Sequence, residues 1–483
     1  MAVVYFAGDR AVKLKKPVDL GFLDFSTLEA RRKACRNEVA LNQRFAPDVY
    51  LGVGDVREEN GDVVDHLVLM RRMPSNRRLS RLIREQASVD VVLRDVARML
   101  AVWHARAPRG PRIDWQGSRD ALLGRWTDSF EQVRALPPSI TNRVSRAVEE
   151  IEQLTSDYLS GREELFAGRI DDGRIVDGHG DLIADDIFCL DDGPRVLDCL
   201  EFDDALRSLD GLDDATFLAM DLERLGAPAL AEKFLHWYVE FSGDPAPTSL
   251  WHHYVAYRAF VRAKVALLRC AQGDARCAPL AEELTDLTLR HLYAGAVRLV
   301  LVGGLPGTGK TTIAGGIADS LGMTVLSTDR LRKESVGRGP NEVADPSMYA
   351  PDRIAANYDA LLARARRLLA LGESVVLDAT WNAAETRSEA LGLAHETGAA
   401  LTQIRCTASE SVTARRLASR GGGWSDADAS VARALARSHA PWKDAEVLHT
   451  ETPIDDCLAR ALGLVHPKAT AQVFRRRSLI EPN

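Results

Sequence analysis

The sequence is poor in lysine, in patterned cysteine and in long apolar runs. No run approaches the roughly 20 residues of a membrane-spanning helix. The N-terminus has no apolar stretch followed by small residues of the kind a secretory signal carries, so the expected location is cytoplasmic. The seven cysteines are scattered and none forms a C-x-x-C pair; the closest two are Cys270 and Cys277. That pattern fits reduced thiols and suggests no structural zinc. A net charge of −7 and a pI near 5.9 argue against a large nucleic-acid-binding face. The cluster Arg475-Arg476-Arg477 reads equally well as a solvated tail. Of 62 basic residues only 10 are lysine, and three of these are Lys13, Lys15 and Lys16; after Lys33 no lysine occurs before Lys233. Lysine at 13–16 is therefore either a functional choice or the charge that protects an exposed edge strand. Nothing in the pattern speaks to oligomeric state.

What is present is a folded chain of 483 residues, 46% hydrophobic and 27% charged, long enough for two or three domains. Residues 2–16 read as a hairpin and Ser26 to Phe45 as a helix, opened by a capping box at Ser26-Thr27-Leu28-Glu29. His66–Met70 is a buried strand, and a further helix spans about Val89 to His104. Helix is expected over 140–168, strands broken by turns over 174–202, and mostly helix over 210–294. From Val297 strand and helix alternate to about 465, the signature of a parallel sheet covered by helices. The domain boundary is placed at 295, giving domains 1–294 and 295–483.

The second domain opens with the strongest motif. An apolar strand, Val297–Val302, runs into Gly304-Leu-Pro-Gly-Thr-Gly309-Lys310-Thr311 and then a helix. Glycines at 304, 307 and 309 let backbone N–H groups face phosphates, and the helix N-terminus adds partial positive charge. Lys310 is placed to reach the β- and γ-phosphates of ATP and Thr311 to ligate Mg²⁺, with Thr312 beside them. Two further strands end in Ser327-Thr328-Asp329 and Asp378-Ala379-Thr380, at the sheet edge where ligands bind. One aspartate can accept the proton of an attacking hydroxyl while the other holds Mg²⁺. Asp329 can also be read as a helix cap. Arg332 lies one turn beyond Asp329, and Arg416 and Arg420 share a helical face that either closes over the transferred phosphoryl group or is solvated.

These residues resemble the small P-loop kinases related to gluconate kinase, zeta toxins and the kinase domain of polynucleotide kinase, over about 298–450. The resemblance implies that Asp329 is the substrate-hydroxyl base with Arg332 beside it, Asp378 the Walker B-type carboxylate, and 410–425 the lid. It leaves the acceptor open.

In the first domain His179-Gly180-Asp181-Leu182 is followed about 17 residues later by Val196-Leu197-Asp198. Two aspartates on tight turns beside apolar strands suit one general base and one Mg²⁺ ligand. Residues 2–290 resemble the aminoglycoside phosphotransferase group of protein-kinase-like enzymes, with a small lobe at about 1–72 and a large lobe at 73–294. The match implies that Asp181 is the catalytic base and Asp198 a metal ligand. It makes Lys13, or alternatively Lys15, the phosphate-contacting lysine, with Glu38 its ion-pair partner. The motif's second His is Ile183 here, and its metal-binding Asn is Asp186. Clustered with Asp181, Asp185 and Asp198, Asp186 either recruits metal or raises its neighbours' pKa values. A phosphate-covering strand and loop ahead of the hairpin are expected to be missing, so the domain is either a second kinase site or a degenerate one. The acidic run Glu201, Asp203, Asp204, Asp210, Asp213 and Asp214 reads as helix caps and arginine partners, and His252-His253 as packing.

The tandem order resembles a bacterial group described as bifunctional aminoglycoside phosphotransferase/ATP-binding proteins. The expected activity is ATP- and Mg²⁺-dependent phosphorylation of a hydroxyl on a small molecule. A regulatory ATP-binding protein with a ligand-sensing first domain, and a nucleic-acid end kinase, are the alternatives.

Overall fold

The computed structural model describes residues 2–18, 24–342, 348, 350–419, 424–425, 429–437 and 440–465. The chain divides into two compact units. One comprises residues 1–149, 166–246 and 253–289; the other comprises 150–165, 247–252 and 290–483, so three stretches ahead of 295 (150–165, 247–252 and 290–294) group with the second unit.

The first unit is α+β and protein-kinase-like. Strands β1 (Ala2–Ala7) and β2 (Arg10–Lys15) form an antiparallel hairpin closed at Gly8-Asp9, where Gly8 has φ 59°. They join β3 (Tyr50–Arg57) and β4 (Val63–Arg71) in an antiparallel sheet of order β1-β2-β4-β3. The helix Leu28–Asn42 packs on this sheet, burying Cys35 and Val39 against Tyr50, Val68 and Met70. Its cap is Thr27, whose hydroxyl accepts from the Ala30 N–H at 3.1 Å. The capping box expected at Ser26 does not form: the cap falls one residue later, at Thr27, its third helical residue is Ala30, and Asp24 takes the Ser26 N–H. The rest of the unit is mainly helical, with the short pairs β5 (Ile175–Asp177) with β8 (Ser208–Asp210) and β6 (Ile187–Leu190) with β7 (Gly193–Val196). Trp126 is wholly buried and stacks with Phe130 and Phe260, and His253 packs against its ring.

The second unit is α/β. Strands β9 (Arg298–Gly303), β10 (Thr324–Ser327), β11 (Val375–Asp378), β12 (Ala400–Thr407) and β13 (Glu446–His449) form a parallel sheet of order β10-β11-β9-β12-β13. The central strand β9 is buried from Leu299 to Gly303, as a strand covered on both faces must be. Chain order reverses across β9, and in such sheets the crevice at the strands' C-terminal ends takes the ligand. Parallel pairing sets Asp378 opposite Val302 and Ser327 opposite Asp378, so the ends of β9, β10 and β11 lie level. The helix Lys310–Leu321 packs Ile313, Ala314 and Ile317 against that sheet.

Among the described residues no helix is long and apolar enough to cross a membrane. Leu301 is fully buried in β9. Leu301→Ala is expected to cost about 2–5 kcal/mol, measured by urea titration of the full chain as an earlier unfolding transition.

Candidate active site

Strand β9 ends at Gly303, and the turn that follows feeds directly into the helix that begins at Lys310. Gly304 and Gly307 adopt φ of 140° and 83°. A Cβ at Gly304 would lie 2.5 Å from the Cys406 carbonyl oxygen, and one at Gly307 would lie 2.9 Å from that of Thr413. Both positions therefore exclude a side chain by contact as well as by conformation. Gly309, with φ 84°, takes the N-cap position, so the turn leads into a helix start whose unpaired N–H groups favour an anion. Lys310 is buried at that start, and Thr311 and Thr312 are exposed on the next positions.

Thr311 Oγ1 donates to Asp378 Oδ2 at 2.8 Å. Asp378 is 2% exposed, and its Oδ1 has no hydrogen-bond partner among the described residues. Burial pushes its pKa up and Asp329 adds to the push, while Lys310 and the hydroxyls of Thr311 and Ser327 oppose it. A buried carboxylate oxygen without a partner is costly, and a cation beside it would relieve the cost. Thr311 and Asp378 thus fit Mg²⁺. The described residues contain no group of three or more His, Cys, Asp or Glu arranged to hold a metal by themselves. Mg²⁺ commonly takes one or two protein oxygens and completes its shell with phosphate and water.

Asp329 lies in the first turn of the helix Thr328–Glu334, whose N-cap is Ser327. Its Oδ1 accepts from Arg332 Nη1 at 2.9 Å, and both side chains are half-buried. The capping reading of Asp329 therefore fails, since the side chain turns to Arg332. Tyr358, absent from the sequence-based candidates, accepts from the Trp381 N–H at 3.1 Å and pairs with Thr380 Oγ1 at 3.2 Å, fixing the exit of β11.

Arg416, on the helix Glu410–Ala418, donates to the Thr450 carbonyl at 2.6 Å, to Thr450 Oγ1 at 3.2 Å and to the Gly307 carbonyl at 3.4 Å. Thr450 Oγ1 in turn donates to the Thr308 carbonyl at 2.6 Å. The solvated-face reading fails for Arg416, which rests on the phosphate-binding turn. Arg420 lies outside the described residues. Thr450 gave no signal in the sequence: it sits at the end of β13, far along the chain from the turn it braces.

The first unit assembles a second constellation. Lys13 Nζ lies 2.6 Å from Asp198 Oδ1 and 2.8 Å from Glu38 Oε1. Lys15 Nζ lies 2.7 Å from Glu38 Oε2 and 2.7 Å from Glu201 Oε1. Both lysines therefore share Glu38, but only Lys13 lines the cavity in front of the sheet. That cavity, about 780 Å³, is also lined by Phe6, Gly8, Met70, Asp186 and Asp198. Desolvation works against Asp198 ionising, yet Lys13 holds its carboxyl below the ordinary range. Asp198 has φ 63°.

Asp181 is half-buried and lies 3.6 Å from Arg262. Burial raises its pKa, with Arg262 opposing and Asp198 reinforcing. Burial, then Asp198 and Asp181, push Asp186 well above the carboxylate range. Burial is the leading cause for both carboxyls, and Asp198 adds to the rise of each. The loop that carries them hangs on Asp214, which accepts the N–H groups of His179 at 2.7 Å and Gly180 at 2.9 Å and pairs with His104 Nε2 at 3.0 Å. Asp203 caps a helix, Asp210 binds Arg169 and Asp213 binds Arg258, as read for the acidic run. Asp214, by contrast, is a loop anchor.

Fold and site together define a P-loop domain of the kinase type joined to a protein-kinase-like domain. The AAA_33 family model, described as an AAA domain, matches residues 299–442. The chain is 44% identical over 464 residues to the uncharacterized protein Rv2004c of Mycobacterium tuberculosis, covering 95% of this chain and 93% of that protein, and belongs to its family. Among solved structures it is similar to a gluconokinase from Sinorhizobium meliloti at 21% identity, covering 37% of this chain and 97% of that one, with a TM-score of 0.26. A choline kinase from Cryptosporidium parvum is similar at 10% identity, covering 60% and 88%, with a TM-score of 0.37. The fold assignment rests on the topology above rather than on these two likenesses.

Asp378→Asn is expected to weaken nucleotide binding in the presence of Mg²⁺ about tenfold or more, a charge-assisted contact being worth about 1.5–3 kcal/mol, and to change Mg²⁺-free binding little. Because the Asp378 pKa is raised, protons compete with Mg²⁺ there at a higher pH than at an ordinary aspartate of about 3.9. Mg²⁺-dependent affinity should therefore fall on acidification before ordinary carboxylates titrate, as measured by calorimetry between pH 8 and 5.

Proposed function

We propose that the second unit is an ATP- and Mg²⁺-dependent phosphotransferase whose acceptor is a hydroxyl on a small molecule. The observation that carries this is the level alignment of two carboxylates at the sheet edge, one bound to Thr311 with an oxygen left over, the other paired with an arginine. Asp378 and Thr311 hold the metal, Lys310 and the turn Gly304–Gly309 hold the phosphates, and Asp329 is the base, oriented by Arg332. Mg²⁺ supplies neutralisation of charge on the phosphate oxygens when bound.

In the transfer, the acceptor oxygen bonds to the γ-phosphorus and its proton passes to Asp329. The bond from the γ-phosphorus to the bridging oxygen breaks, and ADP leaves. Arg416, braced on the phosphate-binding turn, is the cation read as closing over the transferred phosphoryl group, and it would exchange contacts with Thr450 and Gly307 to do so.

The first unit is read as a second phosphotransfer site or a degenerate one, with Asp181 as base, Asp186 and Asp198 toward the metal, and Lys13 with Glu38 toward the phosphates. The degenerate form is favoured by the contacts those groups already make: Lys13 is bound to Asp198 itself, and Asp181 faces Arg262.

Acceptor-dependent ATP turnover should fall by at least about 10²-fold in Asp329→Ala, the usual loss for a general base, and vanish in Lys310→Ala. Turnover that ignores every acceptor in a broad panel would move the chain to the regulatory class. In a Lys310→Ala background, any residual phosphotransfer abolished by Asp181→Ala would belong to the first unit; none to abolish would make that unit degenerate.

A further inference from the structure

Asp329 and Asp378 stand at the ends of the neighbouring strands β10 and β11. Strand register sets their height, but the turns that leave those strands must be held as well. The helix Pro351–Ala370 reaches both turns, through two successive residues. Asn357 Nδ2 donates to the Thr328 carbonyl at 2.8 Å, beside Asp329. Tyr358 Oη accepts from the Trp381 N–H at 3.1 Å and pairs with Thr380 Oγ1 at 3.2 Å, just beyond Asp378. Successive helical residues point about 100° apart around the axis, so one helix can address two adjacent strand ends.

The turn after β11 needs such support. Trp381 has φ 53°, in the left-handed region that a bulky residue rarely enters, and it is wholly buried. Tyr358 takes its N–H, Arg387 Nη1 donates to its carbonyl at 2.7 Å, and its ring packs edge-on against Tyr358 at 5.4 Å. A residue so placed persists only where its surroundings hold it there. The same turn meets the phosphate-binding turn. The Gly304 N–H donates to the Thr380 carbonyl at 3.4 Å, and a Cβ at Gly303 would lie 3.0 Å from Trp381 Cδ1. Tyr358 therefore braces the segment that joins Asp378 to the phosphate-binding turn, while Asn357 braces the segment that carries Asp329.

We infer that Asn357 and Tyr358 are positioning residues for phosphotransfer, which together set the separation between Asp329 on one side and Asp378 with the phosphate-binding turn on the other. The inference rests on the reading of Asp329 as the acceptor base and Asp378 as the metal-binding carboxylate. Both residues act through backbone groups, at Thr328 and Trp381. If either brace is lost, an alcohol bound in one place loses its line to the γ-phosphorus. Water, which is not held in one place, is affected far less.

The test uses the full chain with Mg²⁺ and ATP and compares Tyr358→Phe and Asn357→Leu with the unaltered protein. Tyr358→Phe keeps the ring against Trp381, and Asn357→Leu keeps the bulk without the donor. The acceptors are a broad panel of small alcohols that includes glycerol, glucose, glycerate and adenosine. Transfer is read by mass spectrometry of the phosphorylated alcohol, and hydrolysis by release of inorganic phosphate. In each variant kcat for transfer should fall about ten- to a hundredfold, the usual loss when reacting groups are misplaced from a distance. KM for ATP should barely change, and the ratio of hydrolysis to transfer should rise about tenfold. A variant that merely folds less well loses transfer and hydrolysis together and leaves that ratio where it was. A ratio unchanged in either variant therefore overturns the inference for that residue, while Lys310-dependent transfer in the unaltered chain keeps the phosphotransferase reading. An unaltered chain that hydrolyses ATP and transfers to no alcohol overturns both.

Discussion

Everything in the second unit's site depends on the register of three parallel strands. With β9, β10 and β11 level, the phosphate-binding turn, Asp329 and Asp378 emerge at one height from a sheet whose register is held by the burial of β9 and β11. A slip of one residue would turn Asp378 to the other face of the sheet and part it from Thr311. The hydrogen bond from Thr311 to Asp378 is the chemical expression of that register. It also sets the electrostatics: a carboxylate fixed in a buried position with one oxygen unused holds negative charge where little solvent reaches it.

The first unit relies on a different device. Its charged groups are not set by a buried sheet but by mutual pairing, with Glu38 shared between two lysines and Lys13 reaching across to Asp198. Such a network positions each member while satisfying it, so a ligand must displace existing partners. The pKa pattern follows. Asp198, next to a lysine, is held ionised, whereas Asp181 and Asp186, deeper and close to another carboxylate, are pushed toward the neutral form.

How much of this was legible in the sequence differs by motif. The parallel sheet and the phosphate-binding turn were plain, because apolar runs, glycines and their spacing encode local geometry directly. The Lys13–Glu38–Asp198 grouping was reached only through resemblance, since no periodicity links positions so far apart in the chain. Thr450 under Arg416, and Asp214 under the His179–Asp181 loop, were invisible for a related reason: each acts through backbone groups that exist at every residue, so their chemistry leaves no mark on composition. The helix is capped one residue later than the motif implied and without the reciprocal box, because Asp24, outside the motif, takes the Ser26 N–H. Asp329 read as a base with a helix cap as the lesser alternative, and its turn toward Arg332 removes the cap.

Asp198 carries one further consequence. With φ 63° it occupies the left-handed region that an aspartate enters at a cost of about 1–3 kcal/mol and a glycine enters almost freely. Backbone and side chain therefore ask for different amino acids at this position. A chain under pressure for stability alone would drift toward glycine there and lose the carboxylate. One under pressure to keep a cation near Lys13 must carry the strain. Which residue stands at 198 in other members of the family thus reads out, one chain at a time, whether the first unit is still being used.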